Sequence, residues 1–158
     1  MRPTLVPVTR AARPTAVPTV PAHSMPHRSP TELLILARRG LAEAAAPGAD
    51  GLRYATAHLA ALRAAAAVLA ARARPVPGRR GKLTNVWVLL SMVAPEMNEW
   101  ASYFAASAAK RAAAEAGIPR VVTTREADDL LRAAESFVAS VEAALELTLP
   151  FLVDELVA

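Results

Sequence analysis

His58 is the residue of this 158-residue chain best suited to act as a base within a folded region. The other two histidines, His23 and His27, stand among closely spaced prolines near the N-terminus. Arg53 precedes His58 by five residues, and Tyr54 precedes it by one helical turn. A histidine and an arginine held together can cleave RNA without metal. The imidazole takes the proton of a ribose 2′-hydroxyl while the guanidinium stabilises charge on the phosphate. On a helix, Arg53 and His58 point about 140° apart and share a face only if the long arginine wraps round. Tyr54 and His58, at i and i+4, do meet. The plainer reading is a polar pair at the edge of a helical packing or at an interface.

The second candidate is electrostatic. Arg72, Arg74, Arg79, Arg80 and Lys82 form the densest charge cluster in the chain. Such cations contact phosphates without regard to sequence, and the affinity falls with salt because each contact releases counterions. No aromatic residue lies in that loop to stack on bases, so binding there is expected to be non-specific; a solvated loop is the alternative. The remaining chemistry is thin. With no cysteine and one histidine outside the proline-rich segment, a histidine-based metal site lacks ligands. No Glu-x-x-His pair of the diiron kind occurs, and Asp128 and Asp129 suit the positive end of a helix. The six glycines are scattered, and the stretch from Gly78 to Thr84 lacks phosphate-loop spacing. Neither a metal nor a cofactor is expected.

The elements that must position these residues are helices. Residues 1–29 form a basic, proline-rich tail: the first 30 residues hold seven of the thirteen prolines, four arginines and no acid, a composition that cannot sustain helix and is expected to be disordered. Ser29-Pro30-Thr31-Glu32 has the form of a capping box and opens a helix over 30–46, ended by Pro47-Gly48. A second helix is expected over 50–73, with Leu52, Ala55, Leu59, Leu62, Ala66 and Leu69 at three and four spacing. The third region starts at Thr84 as N-cap. It carries Trp87, Leu90, Ala94, Met97, Ala101, Phe104 and Ala108 in one heptad phase, with a kink or break expected at Pro95. Thr123-Thr124-Arg125-Glu126 is a second capping box. The helix it opens ends by Pro150, leaving 150–158 as a short extension. Trp100 and Phe104, at i and i+4, are expected at the packing centre.

Composition agrees. Thirty-eight alanines and 4% aromatic residues favour packed helices over sheet. The fold class is therefore all-α, a mostly antiparallel four- to five-helix bundle spanning 30–149. No uncharged apolar run reaches the ~18 residues of a membrane span, because Arg63 and Arg72 interrupt the alanine-rich stretch that comes closest. Neither does the N-terminus form the continuous apolar core of a secretion signal, so the expectation is a cytoplasmic protein without a membrane partner. The net charge of +4 conceals a division: residues 1–82 hold 13 basic and 3 acidic residues, residues 83–158 hold 5 and 11.

The segment from Arg53 to Ala66, Trp87, the stretch Val93-Ala94-Pro95-Glu96-Met97-Asn98-Glu99-Trp100-Ala101, Lys110-Arg111-Ala112 and the run from Arg125 to Leu131 together resemble the actinobacterial SAV-type HEPN-domain proteins. The resemblance covers roughly residues 31–147. It implies an all-helical bundle that dimerises. Many HEPN proteins are metal-independent ribonucleases with an Arg-x4–6-His motif at the dimer interface, whereas others lack it and bind nucleic acid, nucleotides or protein partners. Arg53-x4-His58 fits the spacing. The family's motif lies later in the bundle, and no histidine follows position 58 here. The expectation is a non-catalytic homodimer associating with RNA or a nucleotide-containing partner. The alternatives are an endoribonuclease using Arg53 and His58, and a protein interaction module.

Overall fold

A computed structural model of the protein describes residues 17–77 and 85–146. Among the described residues five α-helices follow one another: α1 (Pro30–Ala45), α2 (Asp50–Arg72), α3 (Val86–Val93), α4 (Asn98–Glu115) and α5 (Thr124–Ala144). Local chemistry sets their starts. The Ser29 hydroxyl accepts the Glu32 N–H at 3.2 Å and the Thr123 hydroxyl accepts that of Glu126 at 3.1 Å, so both capping boxes act where the sequence puts them. For α3 the cap is Asn85, whose side-chain oxygen accepts the Trp87 N–H at 2.8 Å; Thr84 lies outside the described residues.

The break at Pro95 is complete. Ala94 leaves the helical region (φ −135°, ψ 76°), and one 3-10 turn, Pro95–Met97, leads into α4. Proline lacks the donor that would continue α3 and pushes the residue before it out of helical geometry. The heptad phase survives as far as Phe104: Trp87, Leu90, Ala94, Met97, Ala101 and Phe104 are all buried, while Ala108 is half-buried.

Helix α2 is the centre of the bundle, packing against α1, α3, α4 and α5. Its alanines 57, 60, 61, 64, 65 and 67 are wholly buried, and their small size lets neighbouring backbones come close. A Cβ on Gly40 of α1 would stand 3.3 Å from that of Ala60. By length and mean hydropathy α2 is apolar enough to cross a membrane when a charge such as Arg63 is tolerated within the span. In the fold it is the core helix, with 56% of that apolar window buried.

The contacts fix the directions. Gly40 meets Ala60 and Arg53 meets Ala44, so α1 and α2 are antiparallel. Arg72 pairs with Glu96, and the start of α2 meets the end of α4 through Gly51 and Ala114, making those two antiparallel as well. Helix α5 differs: Thr124 bonds Asp50 and Arg53 bonds Asp128, at separations of 74 and 75 residues, so α2 and α5 run parallel.

Residues 17–29 depart from the expected tail. Thr19–Pro21 (β1) pairs in parallel with Arg74–Val76 (β2), the Arg74 N–H donates to the Pro18 carbonyl at 2.9 Å, and Val20 is wholly buried. Proline is compatible with such a short two-stranded pair, since the segment supplies acceptors where it lacks donors. Residues 1–16 and the expected extension at 150–158 lie outside the described residues.

Large side chains fill the space between α3, α4 and α5. Trp87 and Phe104 stack with centroids 5.1 Å apart, and Phe104 and Phe137 approach to 5.4 Å. Trp100 flanks this group, 6.2 Å from Phe104 and 5.7 Å from Phe137, and is half-buried, so the packing centre is Phe104 with Phe137 and Trp87.

Candidate functional site

His58 sits on the face of α2 turned toward α3 and α4. It is 1% exposed, edge-on to Trp87 and Phe104 with ring centroids 5.8 and 5.9 Å away. Its Nε2 lies 3.0 Å from the Phe104 carbonyl oxygen. A carbonyl only accepts, so Nε2 carries the proton and Nδ1 holds the basic lone pair. Nδ1 is buried and without a hydrogen-bond partner. Burial pushes the imidazole pKa down, as does the nearby Arg111 guanidinium, against the Phe104 hydrogen bond and Glu115, which raise it. The ring is thus a neutral core group whose basic nitrogen faces protein. A ribose hydroxyl has no route to it in this arrangement.

Arg53 points elsewhere. Its Nε donates to the Ala44 carbonyl at 3.2 Å and one terminal nitrogen pairs with Asp128 at 2.7 Å, tying the α1–α2 corner to the first turns of α5. The expectation that the two residues share no face holds in space: the arginine clamps three helices while the histidine fills the core. Asp128 is accordingly the partner of Arg53, beyond the helix-dipole role read for it. No local pattern signals that pairing, because its members lie 75 residues apart.

The cation cluster is only partly described. Arg72 forms an ion pair with Glu96, which holds the Glu96 carboxyl below its ordinary value of 4.5 through the hydrogen bond. Arg74 has an exposed side chain on β2. Arg79, Arg80 and Lys82 lie outside the described residues. Among the described residues, no three His, Cys, Asp or Glu side chains gather to hold a metal ion.

An open groove of about 340 Å³ runs between α4 and α5, lined by Glu99, Trp100, Tyr103 and Ala133. Tyr103 is 41% exposed. Partial burial raises its hydroxyl pKa, and Tyr54 and Asp129 add to the rise. Placing Trp100 at the packing centre did not foresee this groove; its spacing of three residues from Tyr103, with Glu99 one turn before Tyr103, was the available signal. Exposed apolar side chains occur on other faces, among them Leu52 on α2 and Val88 and Met92 on α3.

Comparison with curated proteins and with solved structures gives no match. The SAV_6107-like HEPN family matches residues 44–142, which runs from the end of α1 through nearly all of α5 and includes Arg53, His58 and the aromatic centre. The chain belongs to this HEPN family.

Proposed function

We propose that this chain is a non-catalytic HEPN module that forms a homodimer and associates with RNA, or a nucleotide-containing partner, through its basic surface. The observation that carries the non-catalytic part is the state of His58, buried, neutral and held by the Phe104 carbonyl, with Arg53 engaged by Asp128 and Ala44. A base needs its lone pair within hydrogen-bond reach of the proton it removes. Support for nucleic-acid association comes from exposed Arg74, beside Arg72 and followed in sequence by Arg79, Arg80 and Lys82. Four or five cations so close in sequence suit a phosphate backbone.

A second reading, a protein interaction module, draws on Val88 and Met92. They are 52% and 61% exposed, one turn apart on α3, and apolar side chains grouped in this way favour a protein surface. One set of measurements separates the readings. Purified protein is incubated with labelled RNA and chelator, and RNA binding is followed across salt concentrations. The proposal expects no cleavage and binding that weakens with salt. Neutralising Arg74, Arg79, Arg80 and Lys82 should flatten that salt dependence. Cleavage lost in both His58→Ala and Arg53→Ala proteins that still melt as folded chains would establish the ribonuclease instead. Absence of binding at low salt would leave the interaction module.

A further inference from the structure

We propose that the groove between α4 and α5 is a binding site for an arginine side chain carried on a basic peptide segment of a partner protein. Its floor is aromatic. Trp100 is braced against Phe104 and Phe137, and Tyr103 stands edge-on to Phe104 at 5.1 Å, so both rings are fixed by the core while presenting surface to the groove. A guanidinium stacks on such rings, attracted by the negative potential of their faces.

Its rim is acidic. Glu99 lies on the α4 wall, exposed, and has no ion-pair partner among the described residues. Asp129, one turn before Ala133 on α5, acts on the Tyr103 hydroxyl. Its carboxylate is shared with Arg132 at 3.4 Å and Arg125 at 3.9 Å. Further along both helices Lys110 is engaged by Glu126 at 2.5 Å, bridging α4 and α5 two turns beyond Tyr103. The local cations are therefore occupied, and the carboxylate left for an incoming one is Glu99.

Size and openness select the form of the ligand. The α5 wall at this level is the methyl group of Ala133, which leaves room for a side chain to enter. A free small molecule binds best where most of its surface is enclosed, whereas this groove covers one side only. A side chain presented by a peptide backbone needs no such enclosure. The acidic balance of residues 83–158, which supply both walls, favours a basic segment.

The test uses the full chain and three capped peptides, Gly-Ser-Arg-Ser-Gly and its counterparts with lysine or glutamine at the centre. The two indole N–H signals are followed by NMR, buried Trp87 serving as internal control for Trp100. The arginine peptide should move Trp100 and leave Trp87 in place, the lysine peptide should bind more weakly, and the glutamine peptide should have no effect. Glu99→Gln should weaken binding about two- to fivefold, and Tyr103→Leu, read from the same Trp100 signal, by a similar factor. Ala133→Leu should fill the groove and abolish binding, with thermal melts confirming that the variant folds. The proposal is overturned by equal binding of the glutamine peptide, by an unchanged affinity in Glu99→Gln, or by no response to any peptide. Loss of self-association in Ala133→Leu would overturn it too, by assigning the groove to a second copy of the chain.

Discussion

Replacing His58 by alanine should destabilise the bundle by about 3 kcal/mol. The ring is enclosed between Trp87 and Phe104 and is 1% exposed, so its removal leaves a cavity of the kind that costs about 2–5 kcal/mol. Two polar effects oppose each other. The hydrogen bond to the Phe104 carbonyl, about 1 kcal/mol, is lost, while a buried nitrogen without a partner, costing about 1–3 kcal/mol, is removed. The cavity therefore dominates, and the melting temperature should fall on the order of 10 °C. The pH dependence carries a sign. The folded state lowers the imidazole pKa below 6.5, so between the folded and unfolded values the unfolded chain binds more protons. Stability then rises with pH through that window and is lost as pH falls below 6.5, with a slope of at most about 1.4 kcal/mol per unit. Glu96, held below 4.5 chiefly by its hydrogen bond to Arg72, contributes its change at lower pH and does not mask this. Urea unfolding from pH 5 to 8, for both proteins, measures both effects. Equal stability of the two proteins, or the same slope in both below 6.5, would refute the assignment of His58 to the core.

Val20→Ala should cost about 2 kcal/mol in the same unfolding assay, because Val20 is wholly buried; no loss would mean that β1 is not part of the folded unit. At Gly40, an alanine trades a gain of about 1 kcal/mol in helix propensity against a methyl 3.3 Å from Ala60 and should be nearly neutral, while Gly40→Leu should lose about 1–3 kcal/mol by forcing α1 from α2. Arg53→Ala should destabilise by about 1–2 kcal/mol, since it frees the Ala44 carbonyl and Asp128 together, and double-mutant unfolding with Asp128→Ala should show the two effects to be non-additive. Charge reversal at Arg74 should weaken RNA association at low salt with little change in stability, because that side chain is exposed.

The helices are legible in the sequence because their signals are local. Ser29 with Glu32 and Thr123 with Glu126 satisfy backbone donors within one turn, and Pro95 breaks its helix through the geometry of its own ring. The heptad phase of Trp87 to Phe104 likewise reports which face is buried. What lies across from that face depends on long-range packing. Periodicity put His58 on a helix, but whether its imidazole met solvent, RNA or core depended on Phe104, 46 residues away. In the same way Arg53 looked like a phosphate ligand until Asp128, 75 residues on, supplied its counter-charge. Val20 was illegible because burying one valine in a proline-rich segment depends on β2 lying beside it, with Pro75, 55 residues later, as its register partner. The parallel course of α2 and α5 belongs to the same class, since it follows from contacts at separations of 74 and 75 residues that no local interaction encodes. Local hydrogen bonding and backbone sterics are written residue by residue, whereas the environment of a side chain is a property of everything that packs around it.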